Sequence, residues 1–353
     1  MSILTAPSHE LAAAIAEFGE PRGYVATASI GIPPRRAVEA LRADLDAWAR
    51  ADRDPQGYDP VIARTRDSYA TLVGVDAARV AIGSQTSVQA AAVAASVPPG
   101  AEVLVAERDF SSLITPFTQQ PGANVRAVPL GALADSITDE TFLVVYSLVQ
   151  SATGVVADAA SIAEAAVRHG ALTFCDTTQA TGVLPVSASD FDITVCHAYK
   201  WLCSPRGVSF LTIGSAADAV LRPTQGGWYA GEEVWQSCYG HDITLAADAR
   251  RFDVSPAWQA WIGAEQSIGL FAGLDIAEIW ERASGLGELL CEELGLPAQR
   301  QAIVAWPDPD GAQLAAMAAA GIRISGRAGR ARASFHLWNT ADDVEAIVRA
   351  VRG

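Results

Sequence analysis

ALTFCDTTQATGVLPVSASDFDITVCHAYK, residues 171–200, holds two short apolar runs, and each leads directly into residues able to ionise. The first, Leu172-Thr173-Phe174-Cys175, ends on Asp176; the second, Ile193-Thr194-Val195-Cys196, is followed by His197 and then Lys200. Runs this short, rich in β-branched and aromatic residues and bounded by Gly, Ser and Asp, read as buried strands. Similar runs stand at 79–82, 102–106, 124–128, 142–146 and 208–213, with helix-like stretches at 86–96 and 158–169 between them. Strands alternating with helices predict an α/β fold whose large, mainly parallel sheet carries helices on both faces.

Upstream, Val38, Leu41, Leu45 and Trp48 recur at helical spacing, and 61–73 is amphipathic. Downstream, the polar-aromatic stretch 222–242 breaks the alternation and a long helical region follows at 256–294. The remainder predicts a small α/β domain, with strands near Ile303 and 333–337 and a final helix over 341–351. The expected organisation is an N-terminal segment, 1–25, associated with the small domain; a large domain, 26–245; and a long linking helix with the small C-terminal domain, 246–353.

Among 353 residues, 40 acids face 25 bases, a formal charge of -15. That sign opposes binding to a phosphate backbone or an anionic membrane, so neither is an expected partner. No apolar run reaches the roughly 18 residues needed to span a bilayer. Five cysteines without a C-x-x-C pair suit a reducing cytoplasm, and no metal centre is expected. Of the 25 bases, only residue 200 is lysine. Arginine replaces lysine as a surface charge but cannot serve as an amine nucleophile, so the one lysine retained points to chemistry.

Ligands of open α/β sheets bind beyond the carboxyl ends of strands. Three such ends carry suggestive groups. Gly83-Ser84-Gln85-Thr86-Ser87 lies between a strand and a helix, where small residues let N–H groups approach a phosphate, although Ser and Thr are also ordinary helix caps. Asp176 could keep a pyridine nitrogen protonated or simply cap a helix. Lys200 supplies an amine at the next strand end.

Together, Cys175-Asp176-Thr177-Thr178-Gln179-Ala180, Asp190-Phe191-Asp192, Tyr199-Lys200-Trp201-Leu202 and Pro205-Arg206-Gly207 resemble the core signature of class V aminotransferase-like enzymes, from about Ser29 to the C-terminus. The resemblance implies the pyridoxal-phosphate transferase fold type I, pyridoxal 5'-phosphate as cofactor and a homodimer. It also implies that Lys200 holds the cofactor as a Schiff base and moves protons, with Asp176 at the ring nitrogen and Gln179 at the phenolic oxygen. Ser84, Gln85 and Thr86 would hold phosphate and Phe110 would stack on the ring. Two departures stand out. His197-Ala198-Tyr199 replaces the Ser-Gly-His of many relatives, making His197 the candidate phosphate ligand, and Ser151 stands where many have Asn. Ser255 falls near the residue that relatives lend to the neighbouring subunit's phosphate. Arg332, in Arg332-Ala333-Ser334, matches the arginine that grips the substrate carboxylate, a task suited to a planar fork.

The resemblance implies an amino-acid substrate but leaves decarboxylation, transamination, racemisation and elimination open. Gly227-Trp228-Tyr229-Ala230-Gly231-Glu232 and 248–258 resemble the subgroup containing hercynylcysteine sulfoxide lyase, in which Trp228 and Tyr229 would line the substrate site or else pack the domain junction. The expected activity is β-elimination from a cysteine S-conjugate or sulfoxide, releasing pyruvate and ammonia. Cysteine desulfuration is disfavoured, because 321–330 contains no cysteine to carry a persulfide. An aminotransferase, a kynureninase-like enzyme, an epimerase and a non-catalytic cofactor-binding module are the alternatives.

Overall fold

The computed structural model describes residues 6–353, so residues 1–5 of the expected N-terminal segment lie outside the described residues. Among the described residues, two sheets are formed. The larger contains β1 (Val80–Gly83), β2 (Glu102–Ala106), β3 (Asn124–Val128), β4 (Thr141–Ser147), β5 (Leu172–Asp176), β6 (Ile193–His197) and β7 (Ser209–Ile213), in the spatial order β1-β7-β6-β5-β4-β2-β3. Pairing is parallel from β6 through β5, β4 and β2 to β3, whereas β7 runs antiparallel to both β6 and β1. Every strand expected in this sheet is present, so the α/β class with a mainly parallel sheet holds.

Successive side chains of a strand point to opposite faces, and that alternation builds two cores. Phe174, Ile193, Val195 and Leu211 pack on one face with Ala90 and Val93 of the helix Thr86–Ala94 and Leu113 and Phe117 of the helix Ser111–Thr118. Tyr146, Cys175, Cys196 and Phe210 face the other way, toward Tyr69 of the helix Asp59–Leu72 and Trp261 of the helix Trp258–Ala272. There Tyr69 stacks on Phe210 at 4.0 Å. Each such buried aromatic or aliphatic side chain contributes roughly 1.5–3 kcal/mol.

The helix Ala159–His169, which leads into β5, shows local signals agreeing with the fold. Asp158 accepts from the Ser161 N–H at 3.1 Å at its start, and Gly170, at φ 71°, ends it in the left-handed conformation. One expectation is corrected downstream. Instead of a single long linking helix, Trp258–Ala272 and Ile276–Leu294 are separated at Gly273-Leu274-Asp275, because Asp275 turns its carboxylate to the Ala277 N–H (2.9 Å) and caps a new helix.

The smaller sheet contains β8 (Ile303–Pro307), β9 (Ser325–Arg327) and β10 (Arg330–Ser334), antiparallel in the order β8-β10-β9. The strand expected over 333–337 ends instead at Ser334, since the His336 N–H turns to Asn339 Oδ1 at 2.8 Å and the chain bends away. Residues 24–26 run beside this sheet. The Val25 N–H donates to the Arg323 carbonyl at 2.9 Å and the Ser334 N–H to the Val25 carbonyl at 2.8 Å. No helix among the described residues is long and apolar enough to cross a membrane.

Candidate active site

Because β2, β4, β5 and β6 run in parallel, their carboxyl ends share one edge of the large sheet. The residues just beyond those ends are Asp109 and Phe110 after β2, Ser151 after β4, Asp176 itself on β5, and His197 with Lys200 at β6.

Asp176 and Lys200 are both buried. Asp176 Oδ1 accepts from the Thr178 N–H at 2.8 Å. Burial pushes the Asp176 carboxyl up to about 6, against the pull of Thr178 and the Lys200 charge. Burial likewise pushes the Lys200 amine down to about 8, and Arg332 and Arg327 lower it further while Asp176 opposes. Lys200 Nζ lies 5.4 Å from the centre of the Phe110 ring and 5.5 Å from that of Tyr199. Phe110 is 42% exposed despite its size, so an aromatic face beside the amine is open. The backbone carries Lys200 tightly. The Gly31 N–H donates to the Tyr199 carbonyl at 2.9 Å, and a Cβ on Gly31 would lie only 2.0 Å from the Lys200 carbonyl oxygen.

Phe110 is held by a residue that sequence reasoning passed over. Asp109 accepts from the Ser147 N–H (2.7 Å), the Ser147 hydroxyl (2.6 Å) and the Phe110 N–H (2.7 Å). Ser147 stands opposite Asp176 in the β4/β5 register, so Asp109 ties the Phe110 turn to the strand pair bearing the carboxylate. The only signal was its place beside Phe110 in Glu107-Arg108-Asp109-Phe110.

A second network joins Gln179, Ser151 and Arg332. Gln179 Nε2 donates to the Ala28 carbonyl (3.0 Å) and Ser151 Oγ (2.9 Å), and its Oε1 accepts from Trp201 Nε1 (2.9 Å). Arg332 is fully buried. It donates to Ser325 Oγ (3.1 Å), Ser151 Oγ (3.0 Å), the Ser151 carbonyl and Ser29 Oγ (2.8 Å). Burial pushes the guanidinium down to about 10, with Arg327 lowering it further, so it stays charged at neutral pH. Ser151 thus bonds both Gln179 and Arg332.

Toward β1, the helix Thr86–Ala94 starts at Gln85 without a side-chain cap; the Val88 N–H donates to the Gln85 carbonyl at 3.2 Å, which leaves the Thr86 and Ser87 N–H groups for an anion. Ser84 and Gln85 precede it and Thr86 is buried. The imidazole of His197 is pushed down to about 3 by burial and by Arg206 and Lys200, so it is neutral, and its buried Nε2 has no hydrogen-bond partner. A buried polar atom without a partner costs about 1–3 kcal/mol, which a ligand acceptor or donor would relieve. Ser255 is exposed. The adjacent Val254 N–H donates to the Ile82 carbonyl at 3.4 Å, while Asp253 accepts from the Ile82 N–H and pairs with Arg66 at 2.6 Å.

Trp228 and Tyr229 are gathered elsewhere. Tyr229 Oη donates to Asp59 Oδ1 at 2.8 Å, Trp235 Nε1 to Asp59 Oδ2 at 2.6 Å, and Trp228 packs between the two rings. Among the described residues, no hydrogen bond or ring contact joins them to Lys200, Asp176 or Arg332.

The fold and this edge define an α/β enzyme organised around a buried amine and carboxylate. Residues 58–323 match the family model of aminotransferase class-V, and the chain belongs to that family. Its cofactor is pyridoxal 5'-phosphate. The residues fit that group: a lone buried amine for the aldehyde, an acid within reach of its charge, an open aromatic face, and both a helix N-terminus and an unpartnered imidazole nitrogen for polar oxygens. The chain is similar to the uncharacterized aminotransferase YcbU of Bacillus subtilis (strain 168), 26% identical over 61% of this chain and 60% of that protein. It is also similar to isopenicillin N epimerase of Amycolatopsis lactamdurans, 30% identical over 48% of each. The chain thus spans between about half and three fifths of these relatives' length. In fold it is similar to the cysteine desulfurase CsdA of Escherichia coli, with TM-score 0.84 and 21% identity over 98% of each chain.

Proposed function

We propose that this class V enzyme is a carbon–sulfur lyase that performs β-elimination on a cysteine S-conjugate or sulfoxide, in the manner of the hercynylcysteine sulfoxide lyase subgroup that its 227–232 and 248–258 stretches resemble. With a thioether conjugate and water the products are the free thiol, pyruvate and ammonium. The bond broken is Cβ–S, and the sulfur leaves with the electron pair released when the α-proton is removed.

One observation carries the choice of lyase. The segment before Arg332, where a desulfurase keeps its persulfide-forming cysteine, is here the tight β9/β10 hairpin turning at Ala328-Gly329, and it contains no cysteine. Of the five thiols, Cys175, Cys196, Cys203 and Cys291 are buried and Cys238 is half-buried. With no sulfur acceptor on the hairpin, the departing group keeps its sulfur.

When bound, the cofactor supplies an electron sink for the α-carbon. Lys200 holds it through its amine and afterwards carries the α-proton, a task for which an amine pushed down to about 8 is suited. Asp176 would keep the ring nitrogen protonated, and Gln179 would hydrogen-bond the phenolic oxygen by redirecting one of the two amide N–H groups it otherwise gives to the Ala28 carbonyl and Ser151 Oγ. Phe110 stacks on the ring. Ser84, Gln85, Thr86 and His197 hold phosphate, joined in a homodimer by Ser255 of the neighbouring subunit. Arg332 would grip the α-carboxylate by turning N–H groups away from its serine partners, and Trp228 and Tyr229 would line the substrate site or else pack the domain junction. A cytoplasmic setting agrees with five free thiols.

The test is incubation of the cofactor-loaded protein with cysteine S-conjugates and sulfoxides. Pyruvate released without added oxo acid supports elimination. Product formed only with oxo acid, inversion at the α-carbon, or cofactor binding without turnover would replace this reading by an aminotransferase, an epimerase or a binding module respectively.

A further inference from the structure

The β9/β10 hairpin presents three arginines on one face. In its register Arg327 stands directly opposite Arg330, and Arg332 opposite Ser325. Directly opposed residues of an antiparallel pair project to the same side, and like charges so placed repel. Among the described residues, none of these three guanidinium groups has a carboxylate within ion-pair distance, in a chain with 40 acids against 25 bases. The two-residue turn, with Ala328 at φ 51° and Gly329 at φ 72°, is the tight hairpin type, so the arginines are held by a stiff element.

Ser29 brings two of them together. Its Oγ accepts from Arg332 Nη2 at 2.8 Å and from Arg327 Nη2 at 3.2 Å. The two side chains differ in what they have left to give. Four of the five Arg332 N–H groups are committed to Ser325, Ser151 and Ser29, and the side chain is fully buried. Arg327 is exposed and gives two bonds, to Ser29 and to the Gly326 carbonyl. Three N–H groups therefore remain for a ligand. The shared Ser29 Oγ places the Arg327 guanidinium beside that of Arg332, near enough for its charge to act on Lys200 and Tyr199 as well.

We propose that Arg327, braced on Ser29 beside Arg332, is a specificity-determining residue that reads a second anionic group on the substrate, carried by the sulfur leaving group. This rests on the lyase reading and deepens it: the α-carboxylate takes the inner arginine, and a distal carboxylate takes the outer one. The preferred substrate is then a cysteine S-conjugate whose thiol portion bears a negative charge.

The test compares S-(2-carboxyethyl)cysteine with its neutral isostere S-(2-carbamoylethyl)cysteine on the cofactor-loaded protein, by pyruvate release and by calorimetric binding. The wild type is expected to favour the anionic conjugate by about tenfold or more in kcat/KM and in affinity, the size of one charge-assisted contact. Arg327→Gln should bring that ratio close to one, and Arg327→Lys should leave it between the two. A ratio near one in the wild type would overturn the proposal. So would equal losses for both conjugates in Arg327→Gln, which would assign the residue to the shared α-carboxylate. If neither compound releases pyruvate, the lyase reading fails by itself. The binding ratio and its response to Arg327→Gln then still decide the role of the arginine.

Discussion

Trp201 Nε1 donates to Gln179 Oε1 at 2.9 Å, and this one bond fixes the direction of the Gln179 amide. An indole N–H is only a donor, so its partner must be the amide oxygen. Nε2 is thereby turned toward Ser151 and the Ala28 carbonyl, on the side of Arg332. Both partners are buried, so Trp201→Phe leaves the oxygen unpaired and should cost about 1–3 kcal/mol beyond the lost packing. Chemical unfolding of Trp201→Phe, Gln179→Leu and the double variant checks this. The two changes should be coupled by more than about 0.5 kcal/mol, and strictly additive losses would contradict the orientation.

Asp176 is expected to trade stability for chemistry. Its folded carboxyl, at about 6, lies above the ordinary 3.8, so between those values the folded protein holds an extra proton and stability falls as pH rises. Above pH 6 the full penalty is present. Without cofactor, Asp176→Asn should therefore be more stable than the wild type by on the order of 1–3 kcal/mol near pH 8, with the difference closing toward pH 4. Loaded with cofactor, the same variant should lose roughly a hundred- to a thousandfold in kcat. Urea unfolding at the two pH values and steady-state turnover measure both. A variant less stable at pH 8 yet normally active would reverse the assignment.

Arg332 is predicted to separate substrate binding from cofactor binding. Arg332→Lys keeps a charge but cannot reproduce the planar fork, and it abandons bonds to Ser151, Ser29 and Ser325. The specificity kcat/KM for the amino acid should fall by about thirty- to a thousandfold, the equivalent of 2–4 kcal/mol, while the absorbance of bound cofactor stays near that of the wild type. Kinetics with an amino-acid amide provide the control, because a substrate without the carboxylate should be slow with the wild type and lose little more in the variant.

How much of this was legible in the sequence depended on whether a residue's partners lie nearby in the chain. The central strands β4, β5, β6 and β7 could be read because each is a short, largely apolar run buried on both faces, and the edge strand β3, Asn124–Val128, from its Val residues although it is not buried. The pairing of Asp176 with Lys200 followed from consecutive strands sharing an edge. The β9/β10 hairpin could not be read, since Ser325–Arg327 is three residues long and its neighbours alternate Arg with Gly and Ala. Ser29 offered even less, as its importance comes from Arg327 and Arg332, about three hundred residues away. Trp228 and Tyr229 looked like substrate walls from their residue types, yet Asp59 binds Tyr229 and organises their cluster, a contact that no local pattern announces.

The central claim is that Lys200, the sole lysine of the chain, carries the cofactor. Borohydride reduction of the loaded protein, followed by mass mapping of its peptides, tests this most directly. The cofactor mass should appear, about one per chain, on the peptide spanning residue 200, and Lys200→Ala should give no stable adduct. An adduct on any other peptide, an adduct that survives in Lys200→Ala, or full activity in protein stripped of cofactor would contradict the account.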